Sequence, residues 1–269
     1  MNPSLRWLFV VLLLIVAAQA GAAGPASVFI DDLTWTELAD AVRAGKTTII
    51  VPLGGTEQNG PHMALGKHNA RVRALSEKIA VALGNALVAP VIAYVPEGSI
   101  EPPTAHMRFP GTITVPDATF EKVLESAARS FRHHGFRDIV FLGDHGGYQK
   151  DLRAVADRLD KEWAATPVRA HAVDEYYRIT VDTYGRALKA RGIRDDEIGT
   201  HAGVADTSLT LALAPGMVRI ERLHSGTKLG SADGVYGDPT KASAELGQLG
   251  VDAIVAGTVE AIRKAVARR

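Results

Sequence analysis

The chain contains no cysteine, which excludes disulfide scaffolds, thiolate zinc sites and cysteine nucleophiles together. Any metal is therefore left to His, Asp and Glu. An excess of either charge is missing too: 30 Lys and Arg balance 30 Asp and Glu, a formal net charge of +0. A phosphate backbone would call for clustered basic residues, so nucleic acid is excluded as a partner. No long Ser/Pro-rich or charged linker divides the chain, and 269 residues with 46% hydrophobic composition suit one domain of roughly 200–250 residues with a full core. Nor is there an apolar run of the roughly 20 residues that a membrane-spanning helix needs.

A shorter run stands at the N-terminus. One basic side chain, Arg6, precedes the apolar residues 7–18 (WLFVVLLLIVAA), and small residues follow at Ala20, Gly21, Ala22 and Ala23. This is the layout of a secretory signal peptide. It predicts a signal over residues 1–23, a single α/β domain over residues 24–269, a periplasmic or secreted mature protein, and no stable membrane anchor.

Past the signal, two hydrophobic periods alternate. Helical spacing predicts helices over residues 35–44, capped by Thr34 and ended by Gly45, and over 70–83, 117–134, 150–164 and 242–267. Short apolar, β-branched runs predict strands at 47–53, 87–94, 138–142 and 168–173. Strands alternating with helices make an α/β fold whose mainly parallel sheet is covered on both faces. Ligands of such sheets bind beyond the carboxyl ends of the strands, which directs attention to the loops after Leu53, Tyr94 and Leu142.

Those loops carry the chemistry. Residues 54–68 (GGTEQNGPHMALGKH) hold Glu57, His62 and His68 among glycines, and residues 143–147 (GDHGG) present His145 between small neighbours. Carboxylate and imidazole are the ligand types open to a cysteine-free divalent-metal site. Residues 97–112 (EGSIEPPTAHMRFPGT) form a long loop with His106, which reads as a substrate-facing wall or as a rigid crossover. Further on, residues 200–208 (THAGVADTS) place His201 and Asp206 at a helix start, where Asp206 also suits an N-cap.

Taken in order, these segments resemble the creatininase (creatinine amidohydrolase) family. Residues 54–68 are similar to its G-S/T-x-E-Q-H-G-P-H-L-P-L-x-T-D loop, HMRFPGTITV to its H-x-x-F-P-G-T-I/V segment, and GDHGG to its N-G-H-G-G-N loop. HAGVADTSLTLAL is similar to H-A-G-x-x-E-T-S-x-x-L, and GVYGDPTKASAELG to G-V-x-G-D-P-x-x-A-T-A-E-x-G. The resemblance implies a three-layer α/β/α sandwich, a homo-oligomer that in this family is often a hexamer, and a small-molecule substrate. It also implies one or two divalent ions that activate water to hydrolyse a non-peptide C–N bond of cyclic amides or formamides, with peptides in some branches.

Carried over by position, Glu57 and His145 match metal ligands and His201 the histidine beside the reacting group. Asn59 stands where the family has a ligand His, His68 where it has the Asp that bridges two metals, Asp206 where it has a ligand Glu, and Asp144 and Tyr148 where it has Asn. Counting the ligand types that remain, Glu57, His68, His145 and Asp206 are expected to hold one ion, zinc first with manganese or iron as the other candidates. Glu57 and His201 are expected to act in catalysis, His201 protonating the leaving nitrogen. Asn59, His106 and Asp144 are expected to contact substrate. The rival readings are a family member that has lost catalysis and binds small molecules, and a lactone or ester hydrolase using the same metal chemistry.

Overall fold

Six successive buried residues, Thr48–Leu53 (β1), make a strand with no solvent face, as expected for a parallel sheet covered on both sides. In this computed structural model, which describes residues 27–223, 226 and 228–267, β1 lies inside a four-stranded parallel sheet of order β2-β1-β3-β4. The partners are Ala86–Val88 (β2), Asp138–Gly143 (β3) and Arg169–Ala172 (β4). The signal predicted over residues 1–23 lies outside the described residues.

Side-chain alternation divides the core into two layers. Ile50, Val140 and Leu142 point to one face, under the helices Lys67–Leu83 (α2), Glu175–Val181 (α5), Thr183–Ala190 (α6), Val204–Leu213 (α7) and Ala244–Ala267 (α8). Ile49, Val51, Leu53, Ile139 and Phe141 point to the other, under Trp35–Arg43 (α1), Asp117–His133 (α3) and Gln149–Glu162 (α4). This is the expected three-layer α/β/α sandwich. α1 starts as the sequence indicates: the Thr34 hydroxyl accepts from Glu37 N, and the Glu37 carboxylate accepts from Thr34 N, a capping box.

Several predicted elements differ in extent. The strand expected over 87–94 ends at Val88, because Pro90 follows and a proline cannot donate to a ladder. The helix expected from residue 70 begins at Lys67, and the three residues thus gained enter the site described below. The stretch after β4 is helical, α5 and α6.

Strand order places the site. The chain runs from β1 outward to β2, then returns across β1 to β3, so the loops leaving β1 and β3 diverge at the point where the strand order reverses, where α/β folds bind ligands. Leu53 pairs with Gly143 at the ends of the two strands, and Asp144 N donates to Leu53 O at 3.0 Å. Tyr148, fully buried at the start of α4, lies within 2.7 Å of both the Leu53 and Gly54 carbonyls and receives His145 N at 3.2 Å. The two loops are thereby clamped at one height.

Candidate metal centre

Glu57, in the loop after β1, has no solvent exposure, and its two oxygens face different companies. Around Oε2 lie His106 Nε2 at 3.1 Å and His145 Nε2 at 3.4 Å. The second carboxylate, Glu97, also buried, sits 3.6 Å from His145 Nε2. One donor atom from each of Glu57, Glu97, His106 and His145 falls within 4.8 Å of all the others. Glu57 Oε2 and both Glu97 oxygens are buried without a hydrogen-bond partner. Buried acceptors left unpaired are costly, and two carboxylates with two imidazoles are a donor set that suits a divalent ion such as zinc or manganese.

The protonation of these groups agrees with that fit. Burial drives His145 down to about 4 against the pull of Glu57, and lowers His106 likewise. Both rings are therefore neutral at pH 7, as ligands must be. Burial and the neighbouring Glu57 carboxylate push Glu97 up to about 9: two carboxyl groups at such close range ionise together only with a cation between them.

Glu97 reaches the cluster because Gly55 leaves room. Gly55 adopts φ +152°, and a Cβ there would stand 2.6 Å from Glu97 Oε1. The sequence marks residues 97–112 as a substrate-facing wall or a rigid crossover, and neither reading singles out Glu97. Its signal was present, a carboxylate three residues past a predicted strand end, but no spacing ties it to Glu57.

The other side of Glu57 is occupied differently. His68, expected to be a ligand, uses both ring nitrogens on carboxylates, Nε2 at 2.7 Å from Glu57 Oε1 and Nδ1 at 2.6 Å from Asp144 Oδ2, and so stands outside the four-donor group. Asp206, also expected to be a ligand, is held by Lys67 Nζ at 3.0 Å, Arg71 Nη1 at 2.6 Å and Ala202 N at 2.9 Å. Neither does it cap α7, where Gly203 takes that position. Burial would raise its carboxyl, but Lys67 and Arg71 outweigh burial and hold it well below the usual range.

The residues expected to contact substrate part company. Asn59 is fully buried, and its amide donates to the Glu57 and Ala64 carbonyls at 2.8 and 3.2 Å, which makes it a brace for the loop. Asp144 is bonded to His68, to Arg71 at 2.9 Å and to the Tyr176 hydroxyl at 2.8 Å, partners within the protein rather than a substrate. His106 is found among the metal-competent donors, its Nδ1 3.2 Å from the Gln58 amide nitrogen.

His201 is where a reacting-group histidine should be. Its Nδ1 faces Glu57 Oε1 at 3.7 Å, its Nε2 donates to the Gln58 carbonyl at 2.9 Å, and its ring lies 4.6 Å from that of His106. Burial, assisted by the Lys67 charge, lowers it to about 3. These groups open into a cavity of about 920 Å³ whose outer walls include Tyr177, Arg186 and Tyr236.

Comparison with known proteins identifies relatives of the chain. The family model "Creatininase: Creatinine amidohydrolase" matches residues 31–262. The creatinine amidohydrolase of Pseudomonas putida is 28% identical over 260 residues, covering 88% of this chain and 97% of that protein. The mycofactocin precursor peptide peptidase of Mycobacterium tuberculosis (strain ATCC 25618 / H37Rv) is 30% identical over 231 residues, 75% of this chain and 78% of the other. A crystal structure of creatininase superposes with a TM-score of 0.73 at 27% identity, over 89% of this chain and 98% of that one. Two more solved forms, one described as "Creatininase Mn" and one as a mutant of "Zn-Zn type", give TM-scores of 0.71 at 26% and 27% identity with the same coverage.

Proposed function

The chain belongs to the creatininase family of amidohydrolases, and from that membership we propose that it is an exported metal-dependent hydrolase cleaving a non-peptide C–N bond of a small, cyclic or linear amide. The observation that carries this reading is the convergence of four donors on one point, three of whose carboxylate oxygens are buried and unpaired. Glu57, Glu97, His106 and His145 are the residues that would hold one divalent ion. The chemistry such an ion supplies is Lewis acidity toward water and toward the substrate carbonyl.

The remaining steps belong to protein side chains. With Nε2 donating to the Gln58 carbonyl, the Nδ1 of His201 is left facing Glu57 Oε1 at 3.7 Å. Being neutral at pH 7, it takes up a proton at Nδ1 as water adds to the carbonyl and returns that proton to the departing nitrogen, the protonation expected of it from sequence. The hydrogen bond to Gln58 fixes the ring for both transfers. The export part of the proposal rests on residues 1–23, and the mass of the chain recovered from the periplasm or medium checks it: an uncleaved N-terminus would refute it.

The test of the chemistry is a panel of cyclic amides, formamides and lactones assayed with and without Zn²⁺ or Mn²⁺. Amide turnover that disappears on chelation, and that is lost together with bound metal in a Glu57→Ala, His145→Ala double variant, is the expected result. Turnover indifferent to chelation, or metal retained by the double variant, would overturn it, while turnover of lactones alone would reassign the bond cleaved.

A further inference from the structure

The side of Glu57 away from the four-donor group holds two cations that no part of the proposed reaction uses. Lys67 and Arg71 lie one turn apart in the first part of α2, so their side chains emerge on one face of the helix. Both are buried, Lys67 with no exposure and Arg71 with 1%. A positive side chain at a helix N-terminus opposes the dipole, and a buried charge survives only when paired. The pairing here is specific: Lys67 Nζ stands 3.0 Å from Asp206 Oδ2 and 3.9 Å from Glu57 Oε1, and Arg71 bridges Asp206 at 2.6 Å and Asp144 at 2.9 Å.

These are also the surroundings in which the family's second ion would be expected from the substituted positions. Three of those positions have changed in a concerted way. Asn59 turns its amide to backbone carbonyls, His68 is bonded between Glu57 and Asp144, and Asp206 is committed to the lysine and arginine. From this arrangement we infer that the Lys67 ammonium, braced through Asp206 by Arg71, is a built-in cation standing in for a second metal ion, so that the centre takes one ion and not two.

Charge balance gives the physical reason. Four carboxylates, Glu57, Glu97, Asp144 and Asp206, face two cationic side chains, Lys67 and Arg71, which leaves two negative charges for one divalent ion to neutralise. A second divalent ion would leave the buried cluster positive by the same amount, and an uncompensated buried charge is among the most costly arrangements a protein can adopt. Lys67 thus does permanently, and without exchange, what a second ion would do: it holds Glu57 and Asp206 together and keeps positive potential on the Oε1 side of Glu57.

This inference rests on the metal-hydrolase reading, and the test separates the two. The full chain, and Lys67→Gln and Lys67→Met variants, are dialysed against excess Mn²⁺ and then metal-free buffer. Bound ions are counted by mass spectrometry, with electron paramagnetic resonance to detect coupling between neighbouring Mn²⁺ ions. One uncoupled ion per wild-type chain, rising to two coupled ions in either folded variant, is the expected result. In those variants Asp206 Oδ2 and Glu57 Oε1 lose their lysine partner. Two coupled ions in the wild type would overturn the inference with no variant needed, and one ion in wild type and variants alike would equally overturn the role of Lys67. No ion in the wild type would instead overturn the metal-hydrolase reading, and this inference with it.

Discussion

Glu97 is the residue whose two states are furthest apart in consequence. Burial and Glu57 raise its carboxyl to about 9, so without a cation it is neutral and with one it is an anionic ligand. Glu97→Gln preserves the shape of the neutral form and removes the anion. Metal affinity is expected to fall by at least about 100-fold, beyond the range for residues that only support a ligand, while the melting temperature of metal-stripped protein stays within a few degrees of wild type. Calorimetric metal titration and thermal melts check both; unchanged affinity would remove Glu97 from the site. At this scale sequence identified chemistry but not company. Glu57, His145 and His201 were legible because carboxylate and imidazole are recognisable types in loops after strands. Lys67 and Arg71 were not, because a lysine and an arginine in a helix are ordinarily solvated, and only burial shows otherwise.

Among the elements, the loop after β1 and the start of α2 carry most of the site: Gly55, Glu57, Asn59, Lys67, His68 and Arg71 fall within a stretch spanning one strand end and one helix start. Gly55 is the point where backbone and ligand interfere. Its φ of +152° lies where side-chain-bearing residues are strained, and a Cβ would meet both Glu97 Oε1 and Val95 Cγ2, the latter at 3.2 Å. Gly55→Ala is expected to cost about 1–3 kcal/mol of stability and to weaken metal binding by displacing Glu97; denaturant melts and metal titration measure the two effects, and normal affinity in a folded variant would show that Glu97 tolerates the displacement. Element boundaries were harder to read than element types. α2 reaches back to Lys67 because Glu57 and Asp206 compensate that charge in its first turn, and periodicity detects apolar residues only.

For the whole molecule, the buried histidines and Glu97 together set a pH dependence. His62, His145 and His201 fall to about 4, 4 and 3, burial being the first cause in each, and burial lowers His106 too. Unfolding restores them to about 6.5, so below that pH the unfolded chain binds more protons and stability drops as pH falls toward 4. Glu97 acts oppositely: its folded value near 9 exceeds the unfolded value of about 4.5, so its contribution is full at acid pH and is lost as pH rises toward 9. Between pH 4.5 and 6.5 these four imidazoles, with His171, which burial also lowers, outweigh one carboxyl, and above 6.5 only the carboxyl remains. Metal-stripped protein is therefore expected to be most stable near about pH 6.5, with Zn²⁺ abolishing the alkaline decline; melts across pH 4–9 with and without metal check this, and a monotonic rise through pH 9 without metal would contradict it. By itself the sequence determined the alternation of strands and helices, the absence of thiol chemistry, the family, and which loops hold ligand-type side chains, because hydrophobic period and residue chemistry are local properties. Only the tertiary structure decided which carboxylates and imidazoles converge, moving Glu97 and His106 into the donor group and His68 and Asp206 out of it. Convergence depends on strand order and on the pairing of buried charges across residues up to 139 positions apart, from Lys67 to Asp206, and no pattern along a single chain records either.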